Sequence, residues 1–378
     1  MSFFNEEIDR RDTHCEKWDK YKGEDVIPAW VADMDFKAPL PVIEALGKRV
    51  EHGIFGYTAM DDETYEAVIN FIKRHHNWEI QKEWIVWMNG VIPGINLACK
   101  TLKDNEEVIT NTPIYPNFVR ATKNTNKNLT QVPMREINGR WSIDFDEFEN
   151  KITPTCKLFL LCNPYNPGGT VFTKEELLKI GKICKKHDVL ICSDEIHADL
   201  VINPNAKHIP IASLNDDLKN RTFTLMAPSK TFNIAGLQSS FAIIPNRRLR
   251  TDFRKKLRGM GDDINLLAIT ATKAAYKDSD TWLKELKLYL AQNLRLVEDF
   301  VKKNKKLKML TCDATYLAWI DCSNLKVQDP YEFFLKYGIG LSEGGRFGDN
   351  DFTRLNFATT KKNLKEILKR MQKAIDSL

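Results

Sequence analysis

Residues 158–162, LFLLC, and residues 189–192, VLIC, are two short apolar runs with a helical pattern between them, TKEELLKIGKICKKH at 173–187. Continuous apolar runs of this length are typical of strands buried on both faces of a parallel sheet. Thr173 and Glu176 have the spacing of a capping box, which marks the start of a helix. The segment therefore predicts a strand–helix–strand unit.

Similar runs lie on both sides of this unit, at Glu107 to Thr110 and at Phe223 to Met226. Strands that alternate with helices favour an α/β fold, with a mostly parallel sheet flanked by helices. After about Asp280 the pattern changes. It predicts a long helix from Trp282 to Lys303, an apolar segment from Tyr316 to Ile320 and a terminal helix from Lys361 to Leu378. We expect a large domain at 46–280 and a smaller α+β domain formed by 1–45 and 281–378.

The composition excludes several classes of protein. The chain has 378 residues, 43% of them hydrophobic and 28% charged, and a net charge of +5, which is too small to indicate a nucleic-acid partner. Apolar stretches fall short of the roughly 20 residues of a membrane helix, and residues 1–7 lack the apolar core of a secretion signal. Eight cysteines without CxxC spacing indicate free thiols in the cytoplasm and no structural metal.

Polar residues follow each of the four apolar runs: TNTPIY at 110–115, CNPYNPGG at 162–169, CSDEIH at 192–197 and APSKTF at 227–232. Ligands of open α/β sheets bind outside the carboxyl ends of the strands. These endings supply a lysine, a carboxylate, an aromatic ring, an amide and a hydroxyl. Together they are the groups that a site for pyridoxal 5′-phosphate (PLP) needs.

Lys230 is the candidate nucleophile, because a desolvated lysine can lose its proton and condense with the PLP aldehyde. Asp194 is suited to the ring nitrogen of the cofactor, where a carboxylate keeps the nitrogen protonated. Each has an alternative interpretation. Lys230 could be a solvated surface lysine, and Asp194 could be a structural carboxylate, with Glu195 as the functional acid.

Three further side chains are candidate cofactor ligands. Tyr115 could stack on the pyridine face, or it could belong to the core or the rim. His197 and Asn166 could each donate a hydrogen bond to the phenolic oxygen, although a lone histidine is more often structural.

The phosphate requires an anion site, and Gly90-Val91-Ile92-Pro93-Gly94 precedes a helical pattern from Ile95 to Leu102. Pro93 suits a first helical turn, and free N–H groups at a helix start bind phosphate oxygens. Ser229 could add its hydroxyl.

The motifs resemble those of a known enzyme family when they are taken together. Asn163 to Gly169, Ser193 to His197 and Ser229 to Asn233 resemble the fold-type I PLP enzymes of the class I/II aminotransferase family. The opening segment Trp30 to Phe36 points to the MalY/PatB-type cystathionine β-lyase branch. Further matches are Phe55–Tyr57, Asn233–Gln238, Phe347–Gly348 and Thr353–Ala358. The resemblance spans nearly the whole chain and implies an aspartate aminotransferase-like fold.

The resemblance also implies roles for individual residues. Tyr57 would reach the phosphate in the neighbouring subunit and act there in catalysis, which implies a homodimer. Arg354 would hold the substrate α-carboxylate. Apart from the resemblance, Trp30, Asp33 and Tyr57 are candidates for the wall of the side-chain pocket. Two positions depart from the wider family, since Gln238 stands where many relatives have a phosphate-binding Arg, and His197 where many have Tyr.

The hypothesis from the sequence is a PLP-dependent carbon–sulfur β-lyase. It would catalyse α,β-elimination of cystathionine or a related cysteine S-conjugate to a thiol, pyruvate and ammonia. An aminotransferase that uses the same PLP site is the alternative, and only the segment Trp30 to Phe36 and Gln238 favour the lyase. A PLP-fold regulatory protein without turnover is disfavoured, because the lysine, the ring-nitrogen carboxylate and the carboxylate clamp are all present.

Overall fold

The predicted strand–helix–strand unit lies at the centre of an eight-stranded sheet. The structure, a computed structural model, describes residues 3–260 and 263–378. Met1 and Ser2, which belong to the segment 1–7 considered above, lie outside the described residues. The strands are β1 Ile27–Pro28, β2 Ile85–Met88, β3 Glu107–Thr112, β4 Leu129–Ile137, β5 Arg140–Ile143, β6 Cys156–Cys162, β7 Leu190–Asp194, β8 Thr222–Met226, β9 Ser240–Ile243, β10 Leu317–Asp321, β11 Ile339–Gly340, β12 Ser342–Glu343 and β13 Phe352–Asn356.

The helices are α1 Glu16–Asp19, α2 Leu40–Glu51, α3 Asp62–His76, α4 Val91–Lys100, α5 Pro116–Asn124, α6 Phe145–Asn150, α7 Lys174–Lys186, α8 Asp216–Arg221, α9 Pro228–Thr231, α10 Arg247–Leu257, α11 Leu266–Asp278, α12 Asp280–Lys303, α13 Pro330–Leu335 and α14 Lys361–Asp376.

The large sheet has the strand order β2-β9-β8-β7-β6-β3-β4-β5. Strands β4, β3, β6, β7 and β8 pair in parallel, whereas β9 is antiparallel to both of its neighbours and β5 is antiparallel to β4. The prediction of an α/β fold with a mostly parallel sheet is confirmed. The sequence analysis did not identify the strands at the two edges.

Helices cover both faces of this sheet. Val86 and Met88 of β2 belong to one core, with α4, α5, α7 and α10, while Ile85 and Trp87 belong to another, with α3 and α11. Alternate residues of a strand point to opposite faces, so β2 serves both cores. The carboxyl ends of the parallel strands remain free of these helix layers.

The predicted start is correct for helix α7 and wrong for helix α4. Helix α7 begins as predicted, since Thr173 and Glu176 form the complete capping box. The predicted start of helix α4 was wrong, because this helix begins at Val91 and not at Ile95. Gly90 precedes it with φ of +108°, a backbone conformation that glycine adopts readily. This conformation lets the chain turn sharply from β2 into α4. Pro93 lies in the first turn as expected, where its missing N–H leaves no bond unmade.

A second, smaller sheet has the antiparallel order β10-β13-β12 and packs with α12 and α14. The N-terminal segment joins this core through Phe4, Ala29, Met34 and Phe36. The domain boundaries remain a prediction. Helix α2 runs across the predicted boundary at 45/46, and its residue Val42 packs in the core of α3 and α11.

Among the described residues, no helix is both long and apolar enough to cross a membrane.

Candidate active site

A cavity of about 520 Å³ lies at the carboxyl ends of β3, β6, β7 and β8. It is lined by residues that the sequence analysis assigned to the site: Trp30, Gly90, Val91, Ile92, Tyr115, Asn166, Asp194, His197, Ser229, Lys230 and Arg354. Trp30 and Arg354 come from segments that pack with the small sheet, and the others follow strands of the large sheet. The cavity is therefore lined by residues from both the large-sheet part and the small-sheet part of the molecule.

Lys230 lies in the short helix α9, directly after β8. Its Nζ donates a hydrogen bond to the Ala32 carbonyl oxygen at 2.7 Å. Burial lowers the pKa of the Lys230 amine, and the positive charge of Arg354 adds to this, while Asp33 and Asp194 oppose it. A lowered pKa increases the fraction of neutral amine, which is the nucleophilic form.

Asp194 ends β7 and is buried beside the cavity. Its Oδ1 accepts a hydrogen bond from the backbone N–H of Ile196 at 3.1 Å. Burial, together with the neighbouring charge of Glu195, raises the pKa of the Asp194 carboxyl to about 7. The Glu195 side chain is bonded to Ser193 and His208 instead, and of these two adjacent acids it is Asp194 that lines the cavity.

His197 is buried, and its Nδ1 has no hydrogen-bond partner among the described residues. Burial lowers the pKa of His197 to about 3, so the ring is neutral at physiological pH. A neutral imidazole carries one N–H and one acceptor nitrogen. His197 lines the cavity, so its neutral ring can serve a bound polar group there.

Tyr115 precedes helix α5 and contributes its ring to the cavity wall. Its hydroxyl accepts a hydrogen bond from Asn117 Nδ2 at 2.7 Å, which fixes the ring orientation. The predicted stacking role remains a prediction.

Arg354 is a buried cation at the side of the cavity that faces the small sheet. One guanidinium nitrogen donates to Asn166 Oδ1 at 2.9 Å and the other to the Trp30 carbonyl at 3.0 Å. The guanidinium carbon lies 4.5 Å from the centre of the Phe347 ring, and burial lowers the pKa of Arg354 to about 10. Arginine still carries its charge at neutral pH, and its forked geometry suits a carboxylate.

The start of helix α4 faces the cavity through Gly90, Val91 and Ile92. The Gly90 N–H already donates to the Met88 carbonyl and to Ser240 Oγ. The N–H groups of Val91 and Ile92 belong to the first turn, which has no preceding helical carbonyl to bond. They are the backbone donors of this helix start for an anion.

Two predicted site residues are not part of this cavity lining in the described chain. Tyr57 is fully exposed on the loop between α2 and α3. Asp33 pairs with Arg10 at 2.6 Å and lies 3.7 Å from Lys17. Their proposed roles remain predictions.

The segment from Trp30 to Phe36 is held by two asparagines that the sequence analysis did not single out: Asn233, which follows α9, and Asn356, which ends β13 of the small sheet. Asn233 Oδ1 accepts from the Met34 N–H, and its Nδ2 donates to the Met34 and Phe36 carbonyls. Asn356 donates to the Val31 and Asp33 carbonyls. These bonds fix the Ala32 carbonyl that contacts Lys230.

Tyr316 was also missed as a site residue. Its hydroxyl donates to the Ala32 carbonyl at 3.0 Å, and its ring lies edge-on to His197. Arg120 and Arg346, which lie at the cavity lining, were missed as well. None of these residues belongs to a local motif, and only the fold brings them to the site.

The model of the family "aminotransferase class I and II" matches residues 27–371. The chain belongs to this family. Cystathionine β-lyase PatB of Bacillus subtilis is 39% identical, across 98% of this chain and 99% of PatB. The solved structure of OvoB has a TM-score of 0.97 and 42% identity, with 99% of each chain covered. Cystalysin of Treponema denticola, whose structure contains PLP, has a TM-score of 0.95 and 35% identity over both whole chains.

These likenesses confirm the family and the branch that the sequence motifs indicated. The fold-type I architecture expected for a class I/II aminotransferase is likewise confirmed.

The residues of the cavity fit the PLP cofactor of this family. The buried Asp194 carboxylate, with its one backbone donor, matches a protonated pyridine nitrogen. The neutral His197 ring, which lines the cavity, can donate to the phenolic oxygen, and the start of α4 matches the phosphate. Lys230 supplies the amine that binds the aldehyde. The fit rests on the donor set of this chain and on the space that the cavity provides.

Proposed function

We propose that this chain is a PLP-dependent carbon–sulfur lyase that performs α,β-elimination on cystathionine or a related cysteine S-conjugate. The products are a thiol, pyruvate and ammonia. One observation carries the proposal: Lys230, Asp194 and Arg354 line one cavity, so an amino acid held by its carboxylate can meet both the amine and the cofactor. The likeness to PatB and cystalysin supports elimination as the outcome.

Arg354 would bind the α-carboxylate of the substrate and orient its Cα–H bond. Lys230, whose pKa is lowered by burial, would accept the Cα proton as a general base. PLP, when bound, supplies the electron sink that stabilises the carbanion. Asp194 would hold the proton on the ring nitrogen. The thiolate then leaves Cβ with the bonding electron pair, and hydrolysis yields pyruvate and ammonia.

The test is to incubate the holoenzyme with cystathionine and to measure pyruvate and free thiol. We expect both products in equal amounts, without any added keto acid. The alternative is an aminotransferase, because the family name and the same cavity residues also suit transamination. Turnover that depends stoichiometrically on a keto acid, without release of thiol, would establish that alternative and overturn the lyase.

We further propose a homodimer in which Tyr57 of one subunit completes the site of the other. The full exposure of Tyr57 supports this, because an aromatic side chain without contacts in its own chain is available to a second copy. Ile54 and Phe55 are exposed beside it and add to an apolar surface.

The cytoplasm is the proposed location. Every cysteine is a free thiol, and all but Cys15 are buried, which is typical of a reducing compartment.

A further inference from the structure

A buried polar cluster adjoins Asp194 in the chain and is not part of the cavity lining. At its centre is Glu195, which is 1% exposed. Its Oε1 accepts from Ser193 Oγ at 2.8 Å and from the backbone N–H of Ile211 at 3.3 Å, and its Oε2 lies 2.8 Å from His208 Nε2. Three donors around one buried carboxyl stabilise the ionised form, which accepts hydrogen bonds and donates none.

His208 does not cancel this charge. Its Nδ1 is buried without a hydrogen-bond partner among the described residues. A cationic imidazole has a proton on both nitrogens, so it would leave a buried N–H unbonded, and that is costly. The geometry therefore favours the neutral ring, with its proton on Nε2 and directed at Glu195. The Glu195–His208 pair keeps one net negative charge.

Other titratable groups of the described residues also face this position. Lys230, Tyr115, Cys162 and Cys192 interact electrostatically with Asp194 from the neighbouring strands and loops.

His76 of helix α3 packs edge-on against His208, with the ring centres 5.4 Å apart. Its Nε2 lies 2.8 Å from Asp199, whose second oxygen accepts from Thr231 Oγ1, next to Lys230. His76 thus pairs with its own carboxylate, and Glu195 remains the acid adjacent to Asp194.

We propose that Glu195, held ionised by Ser193, His208 and the Ile211 N–H, is a positioning residue that increases the proton affinity at Asp194 and so keeps the PLP ring nitrogen protonated. The inference rests on the proposed function, because it requires PLP at Asp194. A negative charge beside the Asp194 carboxylate disfavours its ionisation and favours any proton that it shares. The cofactor would then stay an effective electron sink at higher pH.

The test uses enzyme reconstituted with PLP that carries ¹⁵N in the ring, and follows the ¹⁵N chemical shift between pH 6 and pH 10. We expect Glu195→Gln to lower the pH at which the ring nitrogen loses its proton by about one unit or more. Glu149→Gln is the matched control, because Glu149 also pairs with a histidine, His187, but at the surface. The control should titrate like the wild type.

Two additional variants keep the test decisive. His208→Gln retains a neutral donor, so its titration should match the wild type; an upward shift would show that His208 was cationic and overturn the inference. If Glu195→Gln does not fold, the double variant Glu195→Met with His208→Leu removes both partners at similar volume, a change that proteins often tolerate. The pH at which its ring nitrogen loses the proton should shift in the same direction as in Glu195→Gln.

Unchanged titration in a folded Glu195 variant would refute the role of Glu195 while leaving the proposed function intact. Failure of the wild type to bind the labelled PLP would instead refute the proposed function.

Discussion

Arg354 combines two tasks at the scale of single residues. It organises the cavity wall through Asn166 and the Trp30 carbonyl, and it presents a cation to the cavity. A guanidinium paired with neutral acceptors retains its full positive charge. That charge is available to an anionic substrate group.

Arg354→Gln should therefore reduce kcat/KM for cystathionine by about 10²-fold, because a charge-assisted pair with the carboxylate is lost. The measurement is steady-state thiol release, because both substrates of this test release a thiol whereas only cystathionine yields pyruvate. A cysteamine S-conjugate, which lacks the α-carboxylate, serves as a second substrate and should react at similar rates with both enzymes. Arg346→Gln, at the cavity lining, is the matched control and should have a smaller effect. Equal losses with both substrates would contradict the carboxylate role and indicate a structural one.

Residue chemistry alone was enough to predict Lys230 and Asp194, because each directly follows an apolar strand. It left open whether Asp194 or Glu195 faces the ligand, since adjacent residues differ only in the direction of the side chain, which the structure supplies. Tyr316 could not be predicted, because its relation to the site is a hydrogen bond to Ala32, 284 residues away in sequence.

Helix α7 is the element whose boundary the sequence defines best. Its cap is local chemistry, in which Thr173 accepts from the Glu176 N–H and the Glu176 side chain accepts from the Thr173 N–H. Helix α4 begins instead at a glycine of positive φ, which no side-chain pattern marks, and its start was misplaced for that reason. Strands β2 and β9, the edge strand and its neighbour, were missed because short apolar runs can also belong to buried helices.

Thr173→Ala should lower the free energy of unfolding by about 1 kcal/mol, because the N-cap acceptor is lost. Denaturant unfolding of the holoenzyme measures this change, with Lys182→Ala, at an exposed position of the same helix, as the control. The kcat with cystathionine should stay unchanged, since α7 supplies no residue to the cavity lining. A Thr173→Ala protein as stable as the control would contradict the role of the cap.

At the scale of the whole molecule, the α/β architecture follows from the alternation of apolar runs and helices, whereas the joining of its two parts does not. The N-terminal segment leaves the core of the small sheet at Phe36 and enters helix α2, whose Val42 packs in the core of α3 and α11. The sequence pattern near residues 45 and 46 has no break, so the boundary placed there remains a prediction. The site itself is built from both parts, so its full set of residues could be identified only from the three-dimensional structure.

The proposed dimer predicts complementation between two inactive chains. Mixed dimers of Lys230→Ala and Tyr57→Phe contain one site with both changes and one site with neither. Random assembly should therefore restore about a quarter of the wild-type activity. The measurement is pyruvate formation by co-expressed chains against each variant alone. Activity no higher than that of Tyr57→Phe alone would contradict a Tyr57 shared between subunits.

The covalent attachment of PLP to Lys230 is the claim on which the rest depends. Borohydride reduction of the holoenzyme, followed by digestion and mass spectrometry, locates the attachment directly. The account predicts a phosphopyridoxyl group on the peptide that contains Lys230 and no such group in Lys230→Ala. Modification of another lysine, or an unmodified Lys230 in active enzyme, would contradict it.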